Sequence, residues 1–315
     1  MSEKPMLTTE QSETPVRARW SAPQITAPLL MTFVLGAMHL SRYFLQRSEE
    51  ANPFLTISLI QLLVLLLPCM VYYLLKRKSF ATPLMLNPIR WRHIPLILLS
   101  VPVYIFGMLL LKYFFILISS ESITMIGFFD DLSGRTSPDA SLAGVLISLA
   151  IIPACCEEIL FRGVLVSEYG GLGEGNAVVL SSLCFAMLHF SVRDFPAYLY
   201  AGLLLGILTV VSRSLLPATI LHLVSNLLNL FVSDSFLRIT MQKNGKFFVG
   251  FVLTVLFGFF LFLFLYMVEY VYIKAAESGK DISLPPKNIR NIPKVFLSPT
   301  FLLLVVVFIL IATLT

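Results

Sequence analysis

Apolar residues in this chain gather in long runs with short polar breaks between them, near residues 25–45, 54–75, 94–118, 142–167, 176–192, 195–212, 214–232, 247–273 and 299–315. A helix needs about 17–25 residues to cross roughly 30 Å of hydrocarbon, and most of these runs are that long. The runs lack the two-residue alternation of a barrel strand, and in lipid only helices and closed barrels satisfy their own backbone hydrogen bonds. The pattern therefore predicts an all-α fold, a polytopic helical membrane bundle with about eight or nine transmembrane helices.

Composition agrees: 57% of the 315 residues are hydrophobic and 13% charged, and the mean hydropathy is +0.86, outside the range of ordinary soluble domains. The chain divides into a polar segment (1–24), an N-terminal group of spans (25–140), a central group (141–232) and a C-terminal group (233–315). The run ITAPLLMTFVLGAMHLSRYFL has no small-x-small cleavage site after it, so it reads as a retained anchor. EYGGLGEGN (168–176), with four glycines, reads as a flexible link, and 274–298, with Pro285, Pro286 and Pro293, as a connector to the last helix. Cys69, Cys155, Cys156 and Cys184 lie in or beside apolar runs without CxxC spacing, so they read as small buried hydrophobes.

Charge adds a direction. Basic residues cluster before the first span (Lys4, Arg17, Arg19), between the second and third (Lys76, Arg77, Lys78, Arg90, Arg92) and between the last two (Lys274, Lys280, Lys287, Arg290, Lys294). With nine spans all three clusters share one side, which the positive-inside rule makes cytoplasmic, amino terminus included. The net charge of +5 then belongs to topology, with membrane lipid and no nucleic acid as the expected partner. The cell (plasma) membrane is the expected location.

Three polar groups interrupt the central spans: Glu157, Glu158 and Arg162; His189; and His222 with Asn226. A charge at the centre of a spanning helix costs roughly 2.5–3.5 kcal/mol on insertion scales, so such residues persist where they pair or work. Glu158 and Arg162 are four apart on one helix face, acid first, the favourable order for a pair. Glu157 is turned by about 100° from Glu158 and has no basic residue one turn on, which leaves its carboxylate free. Phe185 and His189 share a face, and His222, Asn226 and Asn229 form one stripe. Taken singly, each group has a plain structural use as an interhelical pair or hydrogen bond. His39 and His93 have no partner spacing and read as structural. The three groups on consecutive spans point to a site.

Glu-Glu-x-x-x-Arg (157–162), Phe-x-x-x-His (185–189) and His-x-x-x-Asn (222–226), in that order over residues 142–232, resemble the three-motif signature of the CAAX protease and bacteriocin-processing family of intramembrane endopeptidases, also called CPBP or Abi. That family includes the type II CAAX prenyl proteases. The resemblance implies that Glu157 is the general base that activates water, that His189 holds the water, that His222 and Asn226 stabilise the oxyanion, and that Glu158 with Arg162 supports the site. These residue types suit peptide hydrolysis, which needs a base, a positioned water and donors at the developing charge. The implied substrate is a peptide or membrane-protein segment, prenylated in the eukaryotic branch. The compact chain looks more like the bacterial branch, associated with bacteriocin processing and immunity.

Two alternatives stay open at this point. Glu157, His189 and His222 are also a zinc donor set; the absence of HExxH and the presence of Asn226, a poor zinc ligand, favour a mechanism with no cofactor. A non-catalytic membrane protein that grips a partner, such as a sensor kinase or transporter, would use the same polar groups. A transporter proper is disfavoured by the lack of an inverted repeat. Counting along the runs sets Glu157 about 20 Å and His189 about 10 Å below the outer face, and the site is expected in the cytoplasmic half.

Overall fold

The structure, a computed structural model, describes residues 23–47, 52–76, 85, 87–119, 141–231, 245–277 and 292–314. The polar segment 1–22, most of the 119–140 loop and residues 278–291 of the connector lie outside them. Every predicted span is a helix. In chain order these are α1 (Pro23–Arg47), α2 (53–76), α3 (Ile94–Ser119, after a 3-10 turn Trp91–His93), α4 (142–169, with a 3-10 turn Gly170–Leu172), α5 (Glu174–Leu188), α6 (Phe195–Ser212), α7 (Leu215–Phe231), α8 (Lys246–Glu277), the short α9 (Ile292–Phe296) and α10 (Pro299–Leu314). Six stretches are long and apolar enough to cross a membrane: Ile25–Tyr43, Phe54–Leu75, Trp91–Phe115, Leu142–Leu172, Phe195–Ser212 and Lys246–Ala275; Glu174–Leu188, Leu215–Asn229 and Pro299–Leu314 are shorter apolar helices. The protein is an integral membrane helical bundle.

Local chemistry accounts for the helix ends. Asn52 accepts from the amides of Phe54 and Leu55 at the start of α2, and Pro53 supplies a first residue with no N–H to satisfy. Ser141 caps α4 by accepting from the Gly144 amide at 3.1 Å. Inside the helices Thr32, Ser182 and Thr209 donate to the carbonyl four residues back, so their hydroxyls need no water. Helices α2 and α4 each widen into a π-helical turn, Gln61–Leu66 and Ile147–Ile151, shortly before Pro68 and Pro153. Proline has no N–H and its ring crowds the carbonyl one turn back; the wider turn accommodates both. A third π segment, Ile159–Leu165, follows Glu158 and carries Arg162.

Helix α4 is the centre of the bundle, against α2, α5 and α7. Ser58 donates to Ser148 at 3.0 Å and Tyr73 to the Gly163 carbonyl at 3.4 Å, each pair 90 residues apart, so α2 and α4 run parallel in constant register. The next pair, α5 and α6, forms a tight antiparallel hairpin. Gly202 of α6 would meet the Ser182 Cβ at 3.0 Å if it carried a Cβ of its own, and Gly206 would meet Val178 at 2.8 Å. This small-x-x-x-small stripe lets the two backbones approach closely. Helix α8 packs on α3, and α10 on α1, both at the periphery.

Two sequence expectations change. The segment 168–176 is a compact turn and not a loose link: α4 runs on into Gly170–Leu172, and Gly173, at φ 107°, reverses the chain directly into α5. A left-handed residue with that φ needs glycine. The run at 176–192 becomes a helix ending at Leu188, because Phe190 turns left-handed at φ 53°. The cysteines are free; three are buried as expected, and Cys155 is exposed.

Candidate active site

The Glu158–Arg162 pair forms as the spacing implies. Arg162 Nη1 donates to Glu158 Oε1 at 2.8 Å, with both side chains fully buried. Its Nη2 donates across the bundle to the Gly202 carbonyl at 3.1 Å. The guanidinium also stands 4.5 Å from the Phe185 ring centroid, within cation–π range. Glu158 Oε1 takes a second donor from α7, His222 Nδ1, at 2.7 Å. One carboxylate oxygen thus ties an arginine on its own helix to a histidine on another. The paired charges offset a desolvation that neither would bear alone.

Glu157, on the neighbouring face, is 7% exposed. Its Oε2 has no hydrogen-bond partner and lies 3.9 Å from His222 Nε2. His222 therefore bridges the two glutamates, bonding one with Nδ1 and facing the other with Nε2. Because Glu158 accepts at Nδ1, Nε2 is the ring atom presented to a reacting group.

His189 is the residue immediately after α5. Its Nδ1 sits 2.9 Å from the Phe185 carbonyl, which can only accept, so the proton belongs on Nδ1 and Nε2 offers a lone pair. The ring stacks on Tyr198 of α6 at 3.6 Å and leans on Phe185 at 5.0 Å. Phe185 stands 5.6 Å from the His222 ring in an edge-on arrangement, so one aromatic ring separates and aligns the two imidazoles. The depth difference counted from the sequence disappears. His189 follows the 15-residue α5, about 22 Å from its start, and Glu157 lies about as far before the end of the α4 stretch at Leu172. The link between the two helices is so short that they share one baseline.

Asn226, one turn beyond His222, donates from Nδ2 to the Ala150 carbonyl at 3.4 Å. That long bond holds the amide beside the π turn of α4. At the hairpin tip Ser191 donates to Asp194 Oδ2 at 2.9 Å and accepts from the Asp194 amide. Burial pushes the Asp194 carboxyl above its ordinary range, against the opposing pull of Ser191. Sequence reasoning missed Tyr198, the Gly202 carbonyl and the Ala150 carbonyl. Only Gly202 left a trace in the chain, through its spacing to Gly206.

For a metal ion the donors would be Glu157, His189 and His222. Among the described residues no three His, Cys, Asp or Glu side chains are grouped closely enough to hold one as they stand, although His222 Nε2 is left open toward Glu157 by the Nδ1 bond to Glu158.

Residues 139–228 match the family model described as Type II CAAX prenyl endopeptidase Rce1-like. The match spans the whole constellation from Glu157 to Asn226. No curated protein and no solved structure matches the chain.

Proposed function

We propose, from the match of residues 139–228 to the type II CAAX prenyl endopeptidase family model and from the site geometry, that this membrane protein is a CAAX-type protease that hydrolyses a peptide bond in a peptide or membrane-associated protein by a metal-independent, glutamate-activated water. The observation that carries this reading is the Glu157 carboxylate, buried and with an unclaimed oxygen beside His222. Glu158 Oε2 and Arg162 Nε are also buried without a hydrogen-bond partner, but the charges of those two groups pair with each other, and Glu158 also bonds His222. An unspent carboxylate in an apolar setting is what a general base requires.

In this mechanism a water donates to Glu157 Oε2 and is oriented by His189 Nε2. Glu157 takes one proton as the water oxygen adds to the scissile carbonyl carbon. His222, in its doubly protonated form, donates from Nε2 to the resulting oxyanion, and Asn226 Nδ2 turns from the Ala150 carbonyl to donate beside it. Collapse of the tetrahedral intermediate breaks the C–N bond, and Glu157 returns its proton to the leaving amine. Glu158 and Arg162 hold His222 in place and contact no reacting atom. We place the amino terminus and the basic end of the bundle in the cytoplasm of the cell membrane, and peptide maturation or immunity among the uses of the activity.

The test is cleavage of a mixed quenched-fluorescent peptide library by detergent-purified protein, wild type beside Glu157→Gln, with and without chelator. Cleavage that survives chelation and vanishes in the variant supports the mechanism. Activity lost to chelator and restored by zinc would overturn the metal-free step. No cleavage by wild type would favour the reading as a partner-binding protein.

A further inference from the structure

At the basic end of the bundle, well away from Glu157, a cavity of about 270 Å³ opens between the start of α3 and the ends of α6 and α8. Its walls include Asn87, Arg90, Arg92, His93, Arg213 and Tyr272. Among the described residues its lining has no carboxylate. Arg213 pairs with Glu174 just outside, where the Tyr272 hydroxyl also bonds Glu174 at 3.4 Å. Among the described residues Arg90 and Arg92 have no acidic partner. We propose that this cavity binds a phosphate-bearing anion, either the headgroup of an anionic phospholipid or free phosphate.

Three features of the lining point the same way. Arg90 stands at the N-cap of the 3-10 turn that opens α3, makes no side-chain cap, and neither that turn nor the first turn of α3 contains an acidic residue. The first-turn amides and the positive end of the helix dipole therefore meet two arginines, an arrangement that repels itself until an anion enters. His93, 5% exposed, adds an imidazole edge to the same wall. Finally, guanidinium forks match phosphate oxygens two at a time, and the volume lies just under the range of about 300–1,000 Å³ for drug-sized ligands. The positive-inside tendency explains arginines at this end. It does not explain the walled cavity that gathers three of them.

The chain has two tryptophans, and Trp91 adjoins the cavity, so a Trp20→Phe background leaves one fluorophore at the site. The full-length protein in detergent is titrated with short-chain phosphatidic acid, with the matching phosphatidylcholine, and with inorganic phosphate. The expected result is a saturable change in Trp91 emission with phosphatidic acid or inorganic phosphate and none with phosphatidylcholine. Apparent Kd should rise about tenfold or more in Arg92→Gln and stay within about twofold in Lys294→Gln, which removes the same charge elsewhere. Should Arg92→Gln not fold, the exposed Arg90→Gln serves in its place. Saturation by phosphatidic acid far below the phosphate concentration needed identifies a headgroup site; equal affinity identifies free phosphate. No saturable change with either, or equal weakening in Lys294→Gln, overturns the proposal.

Discussion

Helices α6 and α8 are both long enough to span a membrane, yet within their spanning windows α6 is 67% buried in the bundle and α8 only 17%. The more apolar of the two is α8. In water that order would be reversed. Lipid is as apolar as a side-chain core, so α8 loses nothing by turning Phe247, Phe251, Phe259 and Phe262 outward. Helix α6 is held inside by what lipid cannot supply: small residues at 202 and 206, a carbonyl for Arg162 and a tyrosine ring for His189. In this bundle burial follows polarity and close packing more than hydropathy.

The largest effect that would sharpen the contrast is in the polar centre. Glu157→Gln should lower peptide turnover by about 10²–10⁴-fold while the thermal midpoint in detergent stays within a degree or two. Turnover near wild type would show that the interior polar groups serve packing alone. Glu158→Gln should cost about 3–5 kcal/mol, because Arg162 keeps its buried charge without its partner; an unchanged unfolding midpoint would count against the brace.

Two further substitutions set the same chemical change in the two helices. Gly202→Ala should destabilise by about 1–3 kcal/mol, since the new methyl meets the Ser182 backbone and Cβ at 3.0–3.1 Å. Gly258→Ala in α8 has nothing within 4 Å of the added atom, and should leave stability unchanged or raise it by up to about 1 kcal/mol. Equal losses at both positions, read by denaturation in detergent, would remove the distinction between the helices.

The bundle was legible in the sequence because membrane helices announce themselves by length. Within one helix the periodicity was informative too: Glu158 with Arg162 and Phe185 with His189 stand as their spacing implies. What spacing cannot report is which faces of different helices meet. The bond from His222 to Glu158 joins residues 64 apart, and the Arg162 contact with the Gly202 carbonyl joins residues 40 apart. Both depend on how closely α6 and α7 approach α4. The level of His189 was misread for a related reason. Four glycines suggested slack at 168–176, whereas three of the four residues 170–173 continue helically and only Gly173 breaks the run. Composition marks where a chain can turn, and packing decides how tightly it does.

Helix α5 is 15 residues long, about 22 Å, against roughly 30 Å of hydrocarbon. Its tip is enclosed only at the flanks, where Phe190 is 4% and Asp194 7% exposed, while Val192 between them is 63% exposed. Helix α5 thus falls about 8 Å short, while its partner α6, with 18 residues, is about 27 Å long. A bilayer relieves such a mismatch by thinning, at fractions of a kcal/mol per Å. Because most of α5 is buried in the bundle, its shortfall is met by neighbouring helices, and a helix too short to span can end at His189 inside the protein.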